Sequence, residues 1–282
     1  MKNLFGINVK DDKKVYNLFE VRKVSEELVK KTEENFNEIE KSDKAASLPV
    51  YLNVIFYISL YGFLILTLSF VNALKDKSFS ELLKNNLPLL IVTIALGVSA
   101  VLLFVVRKLK NKKVVNSEEF KETIEESNDI YNECMEYLGV PKDAPCVDTF
   151  VYLYKVKKDK TVPAINLCKY FVQEFRLYKE ENNLCLADCE SVISIPIDSF
   201  KKIELIDKKV SFMNWNKEEQ PNKGEYKQYK ITTNNYGVNF IKPYYRIEFE
   251  YEYESYEFFV PVYDIKPFEE IINLEVDSEA NI

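Results

Sequence analysis

Ala45-Ala-Ser-Leu-Pro-Val-Tyr-Leu-Asn-Val-Ile-Phe-Tyr-Ile-Ser-Leu-Tyr-Gly-Phe-Leu-Ile-Leu-Thr-Leu-Ser-Phe-Val-Asn-Ala-Leu74 contains no charged residue, and neither does Asn85-Asn-Leu-Pro-Leu-Leu-Ile-Val-Thr-Ile-Ala-Leu-Gly-Val-Ser-Ala-Val-Leu-Leu-Phe-Val-Val106. A helix rising about 1.5 Å per residue crosses the hydrocarbon of a bilayer in about 20 residues, so each run is long enough to span. The two runs, separated by one short charged loop, predict a transmembrane helical hairpin with spans near 49–72 and 87–106 inside a segment 47–108. The first run starts too late, after a flank rich in both signs of charge, to be a cleaved signal. It is expected to remain as an anchor.

Orientation follows from the basic residues near the span ends, which favour the cytoplasmic side. Lys30, Lys31, Lys41 and Lys44 precede the hairpin, and Arg107, Lys108, Lys110, Lys112 and Lys113 follow it, against Lys75, Lys77 and Lys84 in the loop. Both termini are therefore expected in the cytoplasm of a multi-pass plasma-membrane protein, with 75–84 outside. Arg107, Lys108, Lys110, Lys112 and Lys113, with no acid among them, are candidate headgroup contacts. Neither span carries an ionisable residue, which argues against a transporter made by this chain alone. Ser59, Gly62 and Ser69 in the first span and Thr93, Gly97 and Ala100 in the second lie at helical spacing and allow close backbone approach. Packing of the two spans on each other is the plain expectation, with a homo-oligomer as the sharper one.

Composition removes several classes of activity. The formal charge of −7 gives no bias towards nucleic acid. The chain has no histidine, hence neither the commonest general base nor the usual zinc ligand. Its six glycines form no phosphate-cradling loop. Cys134, Cys146, Cys168, Cys185 and Cys189 are odd in number and irregular in spacing, as suits free thiols in a reducing compartment. No cofactor, metal or catalytic residue is expected, and the chain reads as a non-enzyme.

Beside the hairpin the pattern is helical. Residues 1–46 read as a cytoplasmic amphipathic segment whose helix runs from Val15 to Lys41, with Leu18, Val21, Leu28 and Ile39 near heptad positions. Phe120, Ile124, Tyr131, Cys134 and Leu138 repeat similarly in a juxtamembrane helix, 109–140, with Ser117 and Glu118 suited to a helix start. No Pro or Gly interrupts 98–138, so the second span is expected to continue as helix to Gly139, and the two flanking helices to form an antiparallel coiled-coil stalk.

Beyond Pro145 the period becomes two. Tyr245-Arg-Ile-Glu-Phe-Glu-Tyr-Glu-Tyr-Glu254 alternates apolar and charged residues, as a strand does with one face on a core and one in water. Ser255 suits a turn into a strand 256–263, and further strands are expected at 149–157, 168–178, 184–188, 192–197, 202–206, 210–214, 226–233 and 236–241. Pro267 suits the first turn of a short helix ending at Leu274, before a tail 277–282. The class is α+β: N-terminal helices and a transmembrane hairpin, then a mainly antiparallel small β barrel or sandwich, 145–276, closed by a short helix.

Phe175-Arg-Leu-Tyr-Lys-Glu-Glu-Asn-Asn-Leu-Cys-Leu-Ala-Asp188 and Ile193-Ser-Ile-Pro-Ile-Asp-Ser-Phe-Lys-Lys-Ile203 resemble the opening hairpins of bacterial pleckstrin-homology-like (PH-like) domains. Two membrane helices followed by such a domain is a layout similar to YcxB-like membrane proteins of Gram-positive bacteria. Leu138-Gly-Val-Pro, Trp215-Asn-Lys-Glu-Glu and Lys242-Pro-Tyr-Tyr also look like parts of two-span membrane proteins of Firmicutes. The resemblance implies a PH-like fold and no catalytic assignment. The chain departs from the pattern in an added region, 149–178, and in its terminal helix.

One loop stands out in this half. Trp215, Tyr226 and Tyr229 interleave with Lys217, Lys223, Lys227 and Lys230 around Pro221, Asn222 and Gly224; Trp215, Lys217, Lys223, Tyr226, Lys227 and Tyr229 are a candidate interaction surface because Trp and Tyr anchor binding hot spots. Glu218, Glu219 and Glu225 nearly balance those lysines, so aromatics packed on the domain rim are the simpler expectation. The sequence thus suggests a membrane-anchored cytoplasmic module that binds a protein or peptide, with a lipid headgroup as a variant. The alternative is an accessory subunit of a larger transporter or envelope enzyme.

Overall fold

The computed structural model describes the chain apart from Asp12, residues 76–78, Asp159, residues 165–166, Glu275 and residues 278–282, with 79–85 and 276–277 described by backbone alone. Most of the loop assigned to the outside, and the tail, thus lie outside the described residues. Two units are formed: Glu27–Ile130, and Met1–Glu26 together with Tyr131–Ile282.

The helical unit contains α1 (Glu26–Ala46), α2 (Val50–Ala73), α3 (Phe79–Val115) and most of α4 (Glu118–Tyr137). Leu48-Pro49 separates α1 from α2, since proline disfavours helix in the residue before it and opens the next helix well. α3 is kinked at Asn86, φ −130°, ahead of Pro88, whose ring cannot donate to the helical ladder. It does not continue to Gly139 as expected. It stops at Val115, and Ser117 starts a new helix by accepting the Phe120 N–H at 3.2 Å.

Within the hairpin, Ser59 Oγ donates to Ser99 Oγ at 3.3 Å, and Ser59, Thr93 and Ala100 are buried. A Cβ at Gly97 would sit 2.9 Å from the Phe63 ring, so something there would have to shift, and one at Gly62 would sit 3.0 Å from a Leu96 methyl, which would have to give by a few tenths of an ångström. The outer faces are bare: Val50 is 80 % exposed, and Ile58, Ile65, Leu68 and Val101 are exposed as well. Val50–Ala73 and Asn86–Val115 are both long and apolar enough to cross a membrane. In the flanking helices, Asn35 Nδ2 donates to the Thr123 carbonyl at 3.0 Å. The inward row of α1 is Leu28, Thr32, Asn35 and Ile39, and that of α4 begins Phe120, Thr123, Ser127, Ile130, whereas Ile124 is exposed.

The other unit is a sheet domain. Its N-terminal part corrects the reading of 1–46 as one helical segment: β1 (Lys2–Asn3), β2 (Gly6–Asn8), β3 (Lys13–Lys14), a 3-10 turn (Val15–Phe19) and β4 (Glu20–Lys23) precede α1. Leu18 and Val21, taken as heptad positions, are exposed outside any α-helix. The later strands are β5 (Cys146–Lys157), β6 (Lys160–Pro163), β7 (Tyr170–Glu180), β8 (Asn183–Ala187), β9 (Ser191–Pro196), β10 (Phe200–Ile206), β11 (Val210–Met213), β12 (Thr232–Thr233), β13 (Asn239–Ile241), β14 (Tyr244–Tyr251) and β15 (Glu254–Pro261). α5 (Ile265–Ile272) and β16 (Val276–Asp277) follow. The expected strand at 226–233 is mostly a 3-10 helix, Gly224–Tyr229, and the turn expected at Ser255 falls at Glu252 and Tyr253, both with positive φ.

The main path of the sheet runs β12-β13-β11-β7-β5-β15-β14-β10-β16, largely antiparallel, with β8 and β9 extending from β7. N-terminal strands join it at three places. β1 lies parallel to β15, β2 parallel to β5, and β4 antiparallel to β9. Leu4, Phe5, Tyr16 and Phe19 are thereby buried in the same core as Val147, Phe175, Leu186, Ile247 and Phe258, which Ile265, Phe268 and Ile272 of α5 close. The expected alternation is observed over 245–251, with Ile247 and Phe249 in this core, and not to 254, since the turn leaves Tyr253 exposed. On the opposite face Arg246 pairs with Glu204, with Glu248 at 2.9 Å and with Glu257 at 3.7 Å. A second core, on the other face of β5, gathers Phe150, Tyr170, Phe212 and Tyr244.

Candidate functional site

β5 is buried on both faces, and on the side of Phe150 it carries one acid, Asp148, which is 0 % exposed. Its backbone N–H donates to Asp264 Oδ2 at 2.6 Å, and its Oδ2 accepts from the Tyr263 hydroxyl at 3.0 Å. Tyr263 and Asp264 stand in the turn between β15 and α5, so the end of the β14–β15 hairpin delivers both. Lys217 closes the cluster from the loop after β11: its Nζ lies 2.8 Å from Asp264 Oδ2 and 3.4 Å from Asp148 Oδ1. Two carboxylates thus share one ammonium in a nearly dry site.

Burial, opposed by Lys217 and reinforced by Asp264, pushes the Asp148 carboxyl up to about 7. Burial likewise raises Asp264, and it holds the Tyr263 hydroxyl well above the usual phenol range. Burial alone would lower Lys217, but Asp148 and Asp264 hold its ammonium above the ordinary range. Lys217 therefore stays charged, and Asp148 is the group that titrates near neutrality.

The loop aromatics form a lid over the cluster. Trp215 meets Tyr226 at 5.1 Å between ring centroids and Tyr263 at 5.4 Å, and Tyr226 meets Tyr263 at 5.5 Å, all edge to face. These rings fill one another's faces, and with Tyr229 they pack on the second core. Trp215 Nε1 donates to the Glu219 carbonyl at 2.6 Å, and Glu219 Oε2 accepts the Glu225 N–H at 3.0 Å. Gly224 follows with φ +50°, and the Glu219 carboxylate occupies the space a Cβ would need there. Of the lysines marked in this loop, Lys223, Lys227 and Lys230 are exposed. Lys217 points inward, because the buried acids on β5 and after β15 draw it there. Beside the cluster a cavity of about 550 Å3 is walled by Cys146, Glu174, Lys217, Glu218, Glu219 and Tyr226. Its rim is acidic.

The other marked residues fall elsewhere. Ser59, Gly62, Thr93, Gly97 and Ala100 are spent on packing within the hairpin, whereas Ser69 is exposed. Arg107, Lys108, Lys112 and Lys113 are exposed, and Lys108 Nζ stands 5.3 Å from the Phe104 ring. Lys110 donates to the Ser47 carbonyl at 2.8 Å. None of the five cysteines is in a disulfide, and burial raises the thiols of Cys146, Cys168, Cys185 and Cys189, the last to about 12, so these four are not activated as thiolates. Asp148, Tyr263 and Asp264 were not marked. Their signal was a lone acid in the apolar run Cys146-Val-Asp-Thr-Phe-Val and another directly after a strand.

No protein-family model, curated protein or solved structure matches the chain.

The raised Asp148 carboxyl makes a signed prediction. An acid whose pKa is about 7 in the folded chain and 3.8 otherwise costs stability progressively as pH rises between those values, and the full cost persists above the upper one. Asp148→Asn keeps an acceptor for Tyr263 and leaves Lys217 its bond to Asp264. It is expected to stabilise the chain by roughly 1–3 kcal/mol at pH 8 and by little near pH 4. Thermal unfolding of the detergent-solubilised protein at the two pH values measures this. A lower melting temperature for the variant at pH 8 would refute it.

Proposed function

We propose that the chain is a membrane-anchored, non-enzymatic interaction module, in which a transmembrane hairpin holds a PH-like domain at the inner face of the plasma membrane, where it binds a protein or peptide. The observation that carries this reading is the pairing of strands from before and after the hairpin in one sheet. Segments that share a sheet share a compartment, so the chain between them must cross the bilayer an even number of times. The uncovered apolar faces of α2 and α3 support the crossing, since a bilayer is the solvent that makes such exposure favourable. The basic flanks support the cytoplasmic side. Antiparallel hairpins closed by α5 support the PH-like assignment. The non-enzymatic reading rests on a carboxylate pair whose charges are used internally, by Lys217 and Tyr263, under a packed aromatic lid.

Membrane-impermeant labelling of single cysteines, in a background lacking the native five, tests the topology. Lys75→Cys is expected to react in intact cells, and Leu18→Cys and Tyr236→Cys only after lysis; the reverse pattern would place the domain outside. For the binding role, the full chain should recover a stoichiometric partner from gently solubilised membranes, and Lys223→Glu/Lys227→Glu should lose it. Identical recovery by both chains would remove the loop as the contact surface.

A further inference from the structure

Within the helical unit, a cavity of about 440 Å3 opens between the end of α1 and the junction of α3 with α4. Lys41 from α1 and Lys110 and Lys113 from α3 converge on it, with the hydroxyl-bearing Ser42 and Ser117 beside them. Lys110 spends one proton on the Ser47 carbonyl. Lys41 and Lys113 make no ion pair or hydrogen bond among the described residues, so their ammonium groups are available. Glu38 and Glu119 also line the cavity. Three ammonium groups less two carboxylates leave one net positive charge.

We propose that this cavity binds the phosphodiester of a bilayer phospholipid, and so fastens α1 to α3 at the membrane surface. The inference rests on the reading that the hairpin spans the bilayer. Its level agrees: Lys110 follows Val106 by four residues, about 6 Å along a helix and within a headgroup layer roughly 5–8 Å deep, and Lys113, about 10 Å along, stands just outside that layer with a side chain long enough to reach back into it. Its charge agrees as well. A phosphodiester carries one negative charge, which the net charge of the lining matches, whereas a doubly charged free phosphate would meet the two glutamates. The Ser42 hydroxyl supplies a further donor, whereas the Ser117 hydroxyl is spent on the Val114 carbonyl at 2.7 Å. Arg107, Lys108 and Lys112 are not among the lining residues. The specific contacts thus come from two helices on either side of the hairpin and not from the contiguous basic run.

Native mass spectrometry of the full chain in detergent, titrated with phosphatidylglycerol, tests the proposal. Lys41→Gln/Lys113→Gln is expected to weaken lipid binding by about tenfold or more, while Arg107→Gln/Lys108→Gln changes it by no more than about twofold. Inorganic phosphate should not displace the lipid. Equal weakening by both pairs of substitutions, no weakening by the first pair, or displacement by inorganic phosphate would each overturn it. Alkaline carbonate extraction separates the two readings. Wild-type chain released from membranes overturns the spanning hairpin, whereas chain that stays but binds lipid equally well as Lys41→Gln/Lys113→Gln overturns the cavity alone.

Discussion

Replacing Lys217 with Met is expected to destabilise the sheet domain by about 3–5 kcal/mol at pH 8, because it strands two buried carboxylates without their cation. Asp148 is fully buried, and the Asp264 side chain is only 13 % exposed, so water cannot take over the role of the ammonium. The loss has a pH signature. With Lys217 gone, both acids rise further above their ordinary range, so the penalty grows as pH rises and fades as the carboxyls take up protons. At pH 5 the same substitution should cost only about 1 kcal/mol. Denaturant unfolding of the full chain in detergent, followed by Trp215 fluorescence at both pH values, measures it. A pH-independent loss would mean that Lys217 acts through the packing of its aliphatic stem and not through charge.

Phe5→Ala is the second large effect, expected to cost about 3–5 kcal/mol although the residue lies before the hairpin and far in sequence from the rest of its core. Its ring is 0 % exposed and meets Phe175 at 5.0 Å, Phe258 at 5.7 Å and Tyr16 at 5.8 Å. The neighbours come from the sheet after the hairpin and from the N-terminal turn, so a cavity there loosens both. Leu18→Ala, at a 67 % exposed position of the same segment, should change stability by no more than about 0.5 kcal/mol. Limited proteolysis of the full chain in detergent reads the difference: faster cleavage throughout the sheet domain for Phe5→Ala and no change for Leu18→Ala. If Phe5→Ala exposed only the first 26 residues to cleavage, the N-terminal strands would be an appendage and not part of the core.

The pairing of β1 with β15 also orders assembly. Lys2 faces Tyr256 in that ladder, so β1 has no partner until nearly the whole chain exists, whereas β2 and β4 can pair once β5 and β9 have been made. The hairpin, whose contacts are local, has what it needs long before then.

The two apolar runs, the period-two stretch 245–251 and the helix after β15 were legible without coordinates, because each is a local pattern that burial on one face, or in hydrocarbon, imposes directly on neighbouring residues. The glycines at 62 and 97 were legible for the same reason: close helix approach demands small residues at helical spacing. The destination of the first 24 residues was not. Leu4, Phe5, Tyr16 and Phe19 show no clean period, since very short strands and a 3-10 turn use each residue differently, and their partners lie more than a hundred residues away. Lys217 was marked for its charge and sent to the wrong side of the loop. Which way a lysine turns depends on where acids stand in space, and Asp148 on β5 and Asp264 in the turn after β15 are brought beside it only by the fold. Local periodicity thus determined the elements and the hairpin, whereas the tertiary structure alone decided which distant strands share a core and which charges are buried together, because both are set by long-range pairing that leaves no periodic trace in the chain.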